Sequence, residues 1–281
     1  MLVLNFEGGR FFLVSESEVF PINNFFDCKN SFKGSVFLVA SGRSVEEFSF
    51  EFFSKENFVA MNGSISKFVE LNLSPLFYIC DDTSFVEAHP DLAMQGVERS
   101  VNVAMSFECY AKLHEFYPRS LFRNNLYLLY RANRYYDRES VSDRRFAWSI
   151  RKDKELHSCF SLLKSKPNRI GFSKNMSRGY FIARTIPYVG LQLAYHLGFS
   201  KVFLLGVDLN KKAGRFYERS DGKVQPTNID IDYFKYIEPS FRFAKKYIFS
   251  DSFRVYNVSK NSRLPHDIVP KVDLEFVKSN L

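Results

Sequence analysis

Three short turns in this chain have the composition of phosphate or nucleotide cradles: Ser41-Gly42-Arg43-Ser44, Asn62-Gly63 and Ser177-Arg178-Gly179. A glycine in such a turn lets the backbone approach a ligand closely, and unpaired N–H groups at a following helix start suit an anion. The first of these turns is neither GxGxxG nor GxxxxGK[ST], so neither a dinucleotide fold nor a P-loop NTPase is indicated. Ser44 with Glu47 also reads as a helix capping box. Asn62-Gly63 has the polarity to read a base or ribose, or simply to make a turn. Two carboxylates, Asp81 and Asp82, follow an apolar run. As successive residues of an extended segment they point to opposite sides, which argues against a shared metal and for one working carboxylate, assigned to Asp82. Asp208 closes another apolar run. Arg215, Tyr217 and Arg242 are cationic and phenolic donors of the kind that steady a departing phosphate. Each arginine has a plainer reading as a surface ion pair.

These residues need elements to bring them together. Short apolar runs predict strands at Val36–Ala40, Phe58–Met61, Leu76–Cys80, Leu126–Tyr130, Ile170–Phe172, Val202–Leu205 and Arg254–Asn257. Helical spacing is present over Val45–Phe53, Tyr180–Leu197 and Ile231–Ile248. Strands alternating with helices imply an α/β fold with a doubly wound, mostly parallel, Rossmann-like sheet, here as a single domain over 1–281. Residues 2–22 read as a hairpin around Glu7-Gly8-Gly9. The Arg-rich stretch 131–169 breaks the rhythm and reads as a basic insertion or lid. Since ligands of open α/β sheets sit at the carboxyl ends of strands, the residue after each strand is where chemistry is expected. Ser177, Arg178 and Gly179 are expected at the start of the helix that leads to Asp208.

The 281 residues are 46% hydrophobic and 25% charged, with 32 phenylalanines, and exclude a disordered, collagen-like or coiled-coil chain. No run of 18 apolar residues predicts a membrane span, and the first residues do not read as a signal peptide. The four cysteines never form CxxC and the five histidines never form HExxH, so zinc chemistry is not expected and the thiols read as buried in a reducing cytoplasm. The net charge of +8 is local. Residues 110–184 hold 17 Lys and Arg against 6 Asp and Glu, while the remainder holds 22 against 25. Such a segment is either a solvated surface or a footprint for a polyanion or an anionic membrane.

The segment SRGYFIARTIPYVGLQLAYHLGFSKVFLLGVDL, followed by GRFYE and EPSFRFAKKY, resembles the lipopolysaccharide core protein family WaaZ. VFLVASGRS, FVAMNGSI and FYICDDTSF extend the resemblance over most of the chain. More distantly, the pattern is similar to the metal-independent bacterial sialyltransferases. The resemblance implies a glycosyltransferase that adds 3-deoxy-D-manno-oct-2-ulosonic acid (Kdo) from CMP-Kdo to the inner core and lipid A of lipopolysaccharide. It implies inversion and no metal or other cofactor. It also implies a cytoplasmic protein, peripheral on the inner face of the bacterial inner membrane. Carried over by position, Ser41, Gly42 and Ser44 match the first nucleotide turn, Asn62 and Gly63 the cytidine and ribose position, and Ser177 and Gly179 the phosphate turn, with Arg178 between them. The sialyltransferases place a catalytic His before the last helix, but 209–248 contains none here. Asp82 and His266 are therefore the expected bases, with His89 third.

Three other readings remain open at this point: another CMP-sugar transferase, a non-catalytic regulator of core assembly, and a nucleic-acid-binding protein. The last lacks a recognition helix or an RNP-like aromatic motif beside its charge.

Overall fold

The computed structural model describes residues 1–16, 18–118, 125–137, 139–210, 214–218 and 228–281. Arg119, Arg123 and Arg138 of the basic stretch lie outside the described residues.

The chain opens as expected on a hairpin, β1 (Val3–Glu7) and β2 (Arg10–Val14), which β3 (Val19–Pro21) extends to three antiparallel strands. There follow β4 (Ser35–Val39), β5 (Asn57–Met61), α1 (Ile65–Glu70), β6 (Phe77–Cys80), α2 (Thr83–Ala88) and α3 (Pro90–Arg99). Next come β7 (Asn102–Met105), α4 (Phe107–Phe116), β8 (Asn125–Leu128), α5 (Asp143–Ser149), β9 (Leu156–Ser158) and β10 (Gly171–Ser173). The chain ends with α6 (Ile186–Leu197), β11 (Lys201–Leu205), α7 (Ile229–Asp232), α8 (Glu238–Tyr247), β12 (Arg254–Asn257) and α9 (Leu274–Ser279). Seven strands form one parallel sheet in the order β12-β11-β4-β5-β6-β7-β8. The chain winds outward from β4 in one direction, then returns to β11 on its other side. The topological switch therefore falls between β4 and β11, and the α/β doubly wound reading holds.

Alternation along the strands separates two cores. Val36, Leu38, Val59, Met61, Val202 and Leu204 face α6 and α8, and Phe37, Val39, Phe58, Ala60, Phe203 and Leu205 face the opposite layer. Much of the phenylalanine excess is spent on that second face. Register places Tyr256, Phe203, Phe37 and Phe58 side by side across four strands, with ring centroids 5.5, 5.2 and 5.2 Å apart. Stacked cross-strand rings add to the area they bury.

Three expectations are corrected and a fourth is refined. Ile170–Phe172 forms no part of the parallel sheet; β10 pairs antiparallel with β9 as a separate ribbon. Val45–Phe53 is not one helix but two 3-10 turns, Arg43–Glu47 and Phe50–Phe53, which turn Phe48, Phe50 and Phe53 together into the core. The helix expected from Tyr180 starts only at Ile186, because Pro187 has no N–H and clashes with a helical turn before it. The preceding Arg184 has a φ of +61° and Thr185 is extended. Ile231–Ile248 is helical, but a π-turn at Tyr233–Ile237 joins α7 to α8 and accommodates Pro239. The sequence reading also passed over β7 and the helices α2 to α4.

Candidate functional site

A cavity of about 490 Å³ opens at the switch point, over the carboxyl ends of β4, β5, β6 and β11. That is the size range of small-ligand sites and the place the fold favours. Ser41, Gly42, Asn62, Asp82, Asp208 and Arg215 all line it. These six residues come from five segments; all but Arg215 meet at one edge because each follows one of the adjacent parallel strands.

The turn after β4 is clamped from beneath. The Ser44 N–H donates to Asp208 Oδ2 at 3.1 Å, and its hydroxyl donates to Oδ1. Asp208 therefore spends its carboxylate holding β4 and β11 together. Gly42 is obligatory here, since a Cβ would stand 2.5 Å from both Asp208 Oδ2 and the Gly206 carbonyl. Segment 214–218 lies over the turn, with the Phe216 N–H donating to the Ser41 carbonyl at 3.1 Å. Arg215 also pairs with Glu218 at 2.8 Å. Asn62 follows β5 with a φ of +47°, and its buried Oδ1 has no hydrogen-bond partner among the described residues. Gly63 leaves room for the ring of Tyr217, which a Cβ would overlap, so this pair is a packing contact behind the cavity. Tyr217 also meets Phe85 and His89 edge-on.

The two aspartates after β6 divide their roles. Asp82 caps α2, accepting from the Phe85 N–H at 3.2 Å and from the Ser84 hydroxyl at 2.5 Å. Asp81 also lines the cavity; it accepts a hydrogen bond from the Tyr180 hydroxyl and faces Arg131 at 3.5 Å. Burial raises its pKa from the ordinary aspartate value, against the opposing pull of Tyr180, Arg131 and Ser106. Tyr180 is placed by a zipper: its N–H donates to the Tyr130 carbonyl and its own carbonyl accepts from Ala132 N–H, both at 2.9 Å. Asp81, Tyr180 and Arg131 form a cluster that the sequence does not single out. The adjacent carboxylates were visible, but which one turned inward was not.

The remaining choices lie elsewhere. Ser177, Arg178 and Gly179 are not at a helix start. They form a 3-10 turn at Met176–Arg178 closed by Gly179 at φ +83°, and none of them lines the cavity. Ser177 bonds Asn175, and its carbonyl accepts from the Tyr130 hydroxyl. Arg178 makes a forked pair with Asp153 at 2.9 and 2.7 Å and reaches Glu155 at 3.4 Å. Burial would raise Asp153, but Arg178 and the N–H groups of Leu156 and Glu155 outweigh it and bring its pKa to about 2. Arg242 is a half-exposed helix residue paired with Glu238 and Asp267. His266 is exposed, its Nδ1 accepting from the Lys271 N–H at 3.1 Å, and it does not line the cavity. The helix start that does face the cavity is that of α6, where Thr185, Ile186 and Pro187 line the wall beside Arg184. Pro187 has no N–H and the Tyr188 N–H already donates to the Thr185 carbonyl at 3.2 Å, so it is chiefly the helix dipole that makes that wall attractive to an anion. Among the described residues no three His, Cys, Asp or Glu side chains converge as metal ligands.

Comparison with known proteins agrees with the resemblance. The chain is 24% identical over 253 residues to an Escherichia coli protein described as a probable 3-deoxy-manno-octulosonic acid transferase, covering 89% of this chain and 87% of that one. It is 26% identical over 216 residues to a Salmonella typhimurium protein of the same description, covering 76% and 77%. Among solved structures, the MAf glycosyltransferase from Magnetospirillum magneticum aligns with a TM-score of 0.47 at 14% identity, over 84% of this chain and 34% of that one. A variant of the sialyltransferase CST-II in complex with CMP aligns with a TM-score of 0.39 at 12% identity, over 84% and 85%. The sequence profile of the 3-deoxy-D-manno-octulosonic acid transferase WaaZ matches residues 21–275, and the chain belongs to that family.

Proposed function

We propose that the protein transfers Kdo from CMP-Kdo to the inner core of lipopolysaccharide. The observation that carries this reading is the switch-point cavity, whose wall holds both an anion-attracting helix start and a partly buried carboxylate tied to a phenol and a guanidinium. CMP-Kdo carries a phosphate and a carboxylate, and the α6 start, Arg184 and Arg215 are the groups that would face them. Asp81, rather than Asp82 or His266, takes the role of general base. Its carboxylate accepts the proton of the acceptor hydroxyl while that oxygen bonds to the anomeric carbon. The bond from that carbon to the phosphate oxygen breaks, and CMP departs with the electron pair. CMP is a good leaving group as a phosphate monoester, so the reaction needs no metal, and the cationic wall takes up the developing charge.

An acceptor of this class lies at a membrane, and one surface suits it. Leu162 and Leu163 are 69% and 94% exposed at the tip of a loop that also carries Lys164 and Lys166. The loop is held by the buried Asn168, which bonds the backbone of Ser161 and Lys164. Beside it Trp148 is half exposed, contacting Phe160 at 5.0 Å with Arg151 stacked on its ring. Apolar tips ringed by cations suit an anionic bilayer on the cytoplasmic side. Among the described residues no helix is long and apolar enough to cross a membrane.

Incubation with CMP-Kdo and a Kdo-bearing inner-core acceptor should release CMP and increase the acceptor's mass by one Kdo. Release from CMP-sialic acid alone would replace this reading with that of a sialyltransferase.

A further inference from the structure

A second, smaller cavity of about 110 Å³ adjoins the first. Arg131, Ile182 and Arg184 line both, so one partition separates them. Tyr180 lies on the second side of that partition, and its hydroxyl reaches the Asp81 carboxylate on the first. The same carboxylate thus sits at the boundary between two spaces. A transferase needs such an arrangement, with a donor on one side of its base and an acceptor on the other.

The second cavity has its own chemistry. Arg134 and Arg169 join Arg131 and Arg184, so four arginines line it against a single carboxylate, Asp143. Asp143 is already taken by Arg169 at 2.6 Å. Arg131 is turned to Asp81, Arg184 lies over the Tyr236 ring at 5.9 Å, and among the described residues neither Arg134 nor Arg184 makes an ion pair. Like charges gathered at a small cavity repel one another, and an oxyanion placed between them removes that cost. The space is well below the range of whole nucleotide-sized ligands, but it admits one charged group with part of a sugar ring. Phe146, Phe181 and Tyr236 supply an apolar wall for such a ring.

We infer that this second cavity anchors the acceptor by an oxyanion, a phosphate or carboxylate carried on its saccharide, and so presents the acceptor hydroxyl to Asp81. The inference rests on the transferase reading above. It assigns Arg134 and Arg169 to the acceptor, and leaves the donor to the larger cavity.

The test uses the full chain. Calorimetric titration with inorganic pyrophosphate, before and after saturation with CMP, reads anion binding without any turnover. Binding that survives CMP and is lost in Arg134→Gln supports the inference even if no Kdo transfer is found. Binding abolished by CMP places the anion in the donor cavity and overturns it. In the transfer assay, Arg134→Gln should raise the acceptor KM about tenfold or more with the donor KM unchanged. Arg145→Gln, on α5 but away from the cavity, should change neither. Dephosphorylated and carboxyl-reduced acceptors separate the two sources of the oxyanion: the one that loses affinity in the wild type and gains nothing further from Arg134→Gln identifies the group held. A raised donor KM, or an acceptor KM that Arg134→Gln leaves unaltered, would refute the acceptor assignment while leaving the transferase reading intact.

Discussion

The hydroxyl of Tyr180 donates to the carboxylate of Asp81 across 99 residues of chain, joining the end of a central strand to the segment that leads into α6. The bond favours the ionised carboxylate, whereas burial favours the neutral one, and burial prevails. A carboxylate whose pKa is raised in this way is a stronger base than an exposed one. Asp81→Asn keeps the acceptor atom for Tyr180 but cannot take a proton. Its turnover should fall by about 100-fold or more. Because the folded pKa lies above the unfolded one, ionised Asp81 lowers stability progressively as pH rises through that interval. The Asn variant should therefore match or exceed the wild-type Tm at neutral pH. Tyr180→Phe removes an interaction that lowers the Asp81 pKa, so the acid limb of kcat/KM should move to higher pH. Full activity in Asp81→Asn, or an acid limb that ignores Tyr180, would remove Asp81 from the mechanism.

Gly63 and Tyr217 make a second coupled pair. The ring of Tyr217 occupies the space a Cβ at Gly63 would need, and Tyr217 belongs to the segment whose Phe216 N–H holds the Ser41 carbonyl. Gly63→Ala should cost about 1–3 kcal/mol by overpacking. It should also raise the donor KM, since the displaced segment carries Arg215 at the cavity wall. Tyr217→Ala opens room for the new methyl. The double variant should then be more stable than the sum of the singles by about 0.5 kcal/mol or more in urea unfolding. Strict additivity would mean that the two residues do not press on one another.

Arg178 offers the converse case, a cation that the sequence reading placed on a phosphate and the fold places in an ion-pair network. Its partner Glu155 also binds Lys29 at 2.5 Å, so the cluster ties the segment before β4 to the residues that lead into β9. Arg178→Ala should lower stability by about 1–2 kcal/mol, a figure reduced for the partial exposure of the arginine. The pH dependence has a defined sign. With a folded pKa of about 2 against an ordinary 3.8, Asp153 contributes stability that is present above that ordinary value and is lost as pH falls toward 2. Acid unfolding of the variant should show a shallower loss across that window. The donor KM should not change. A preserved Tm with a weakened donor would return Arg178 to the binding site.

The parallel sheet was legible because its central strands are short apolar runs, buried on both faces and bounded by polar turns. Ser41, Gly42, Asn62 and Asp208 could be placed at one edge for the same reason: each follows a strand, and parallel strands end together. β7 was missed because Asn102–Met105 offers only four residues and begins on a polar one that is buried through a bond to the Leu76 carbonyl. Ser177, Arg178 and Gly179 were misplaced because the apolar spacing of α6 runs upstream of its true start, and only Pro187 marks the break. Asp81 was passed over for Asp82 because the sequence shows two carboxyl groups but not the distant tyrosine and arginine that select between them. Pairings that depend on segments about 50 or 100 residues apart have no local pattern to reveal them.

Trp148 is the single tryptophan of the chain, and it stands at the surface assigned to the membrane. Its emission therefore reports on docking without any label. On vesicles of phosphatidylglycerol the spectrum should shift to the blue and become quenchable by brominated acyl chains, as the ring leaves water for the interface. Vesicles of phosphatidylcholine should produce little change, because the lysines around Leu162 and Leu163 supply the attraction. The electrostatic part should weaken with salt as the Debye length falls to about 3 Å at 1 M. Leu162→Asp with Leu163→Asp touches no residue of either cavity and should abolish co-sedimentation while sparing turnover on a soluble, deacylated acceptor. If the double variant instead turns a dimer into a monomer in size-exclusion chromatography and leaves vesicle binding intact, the exposed leucines serve a second copy of the chain. The membrane reading then fails at this surface, because the two leucines cannot be buried in a dimer contact and in lipid together.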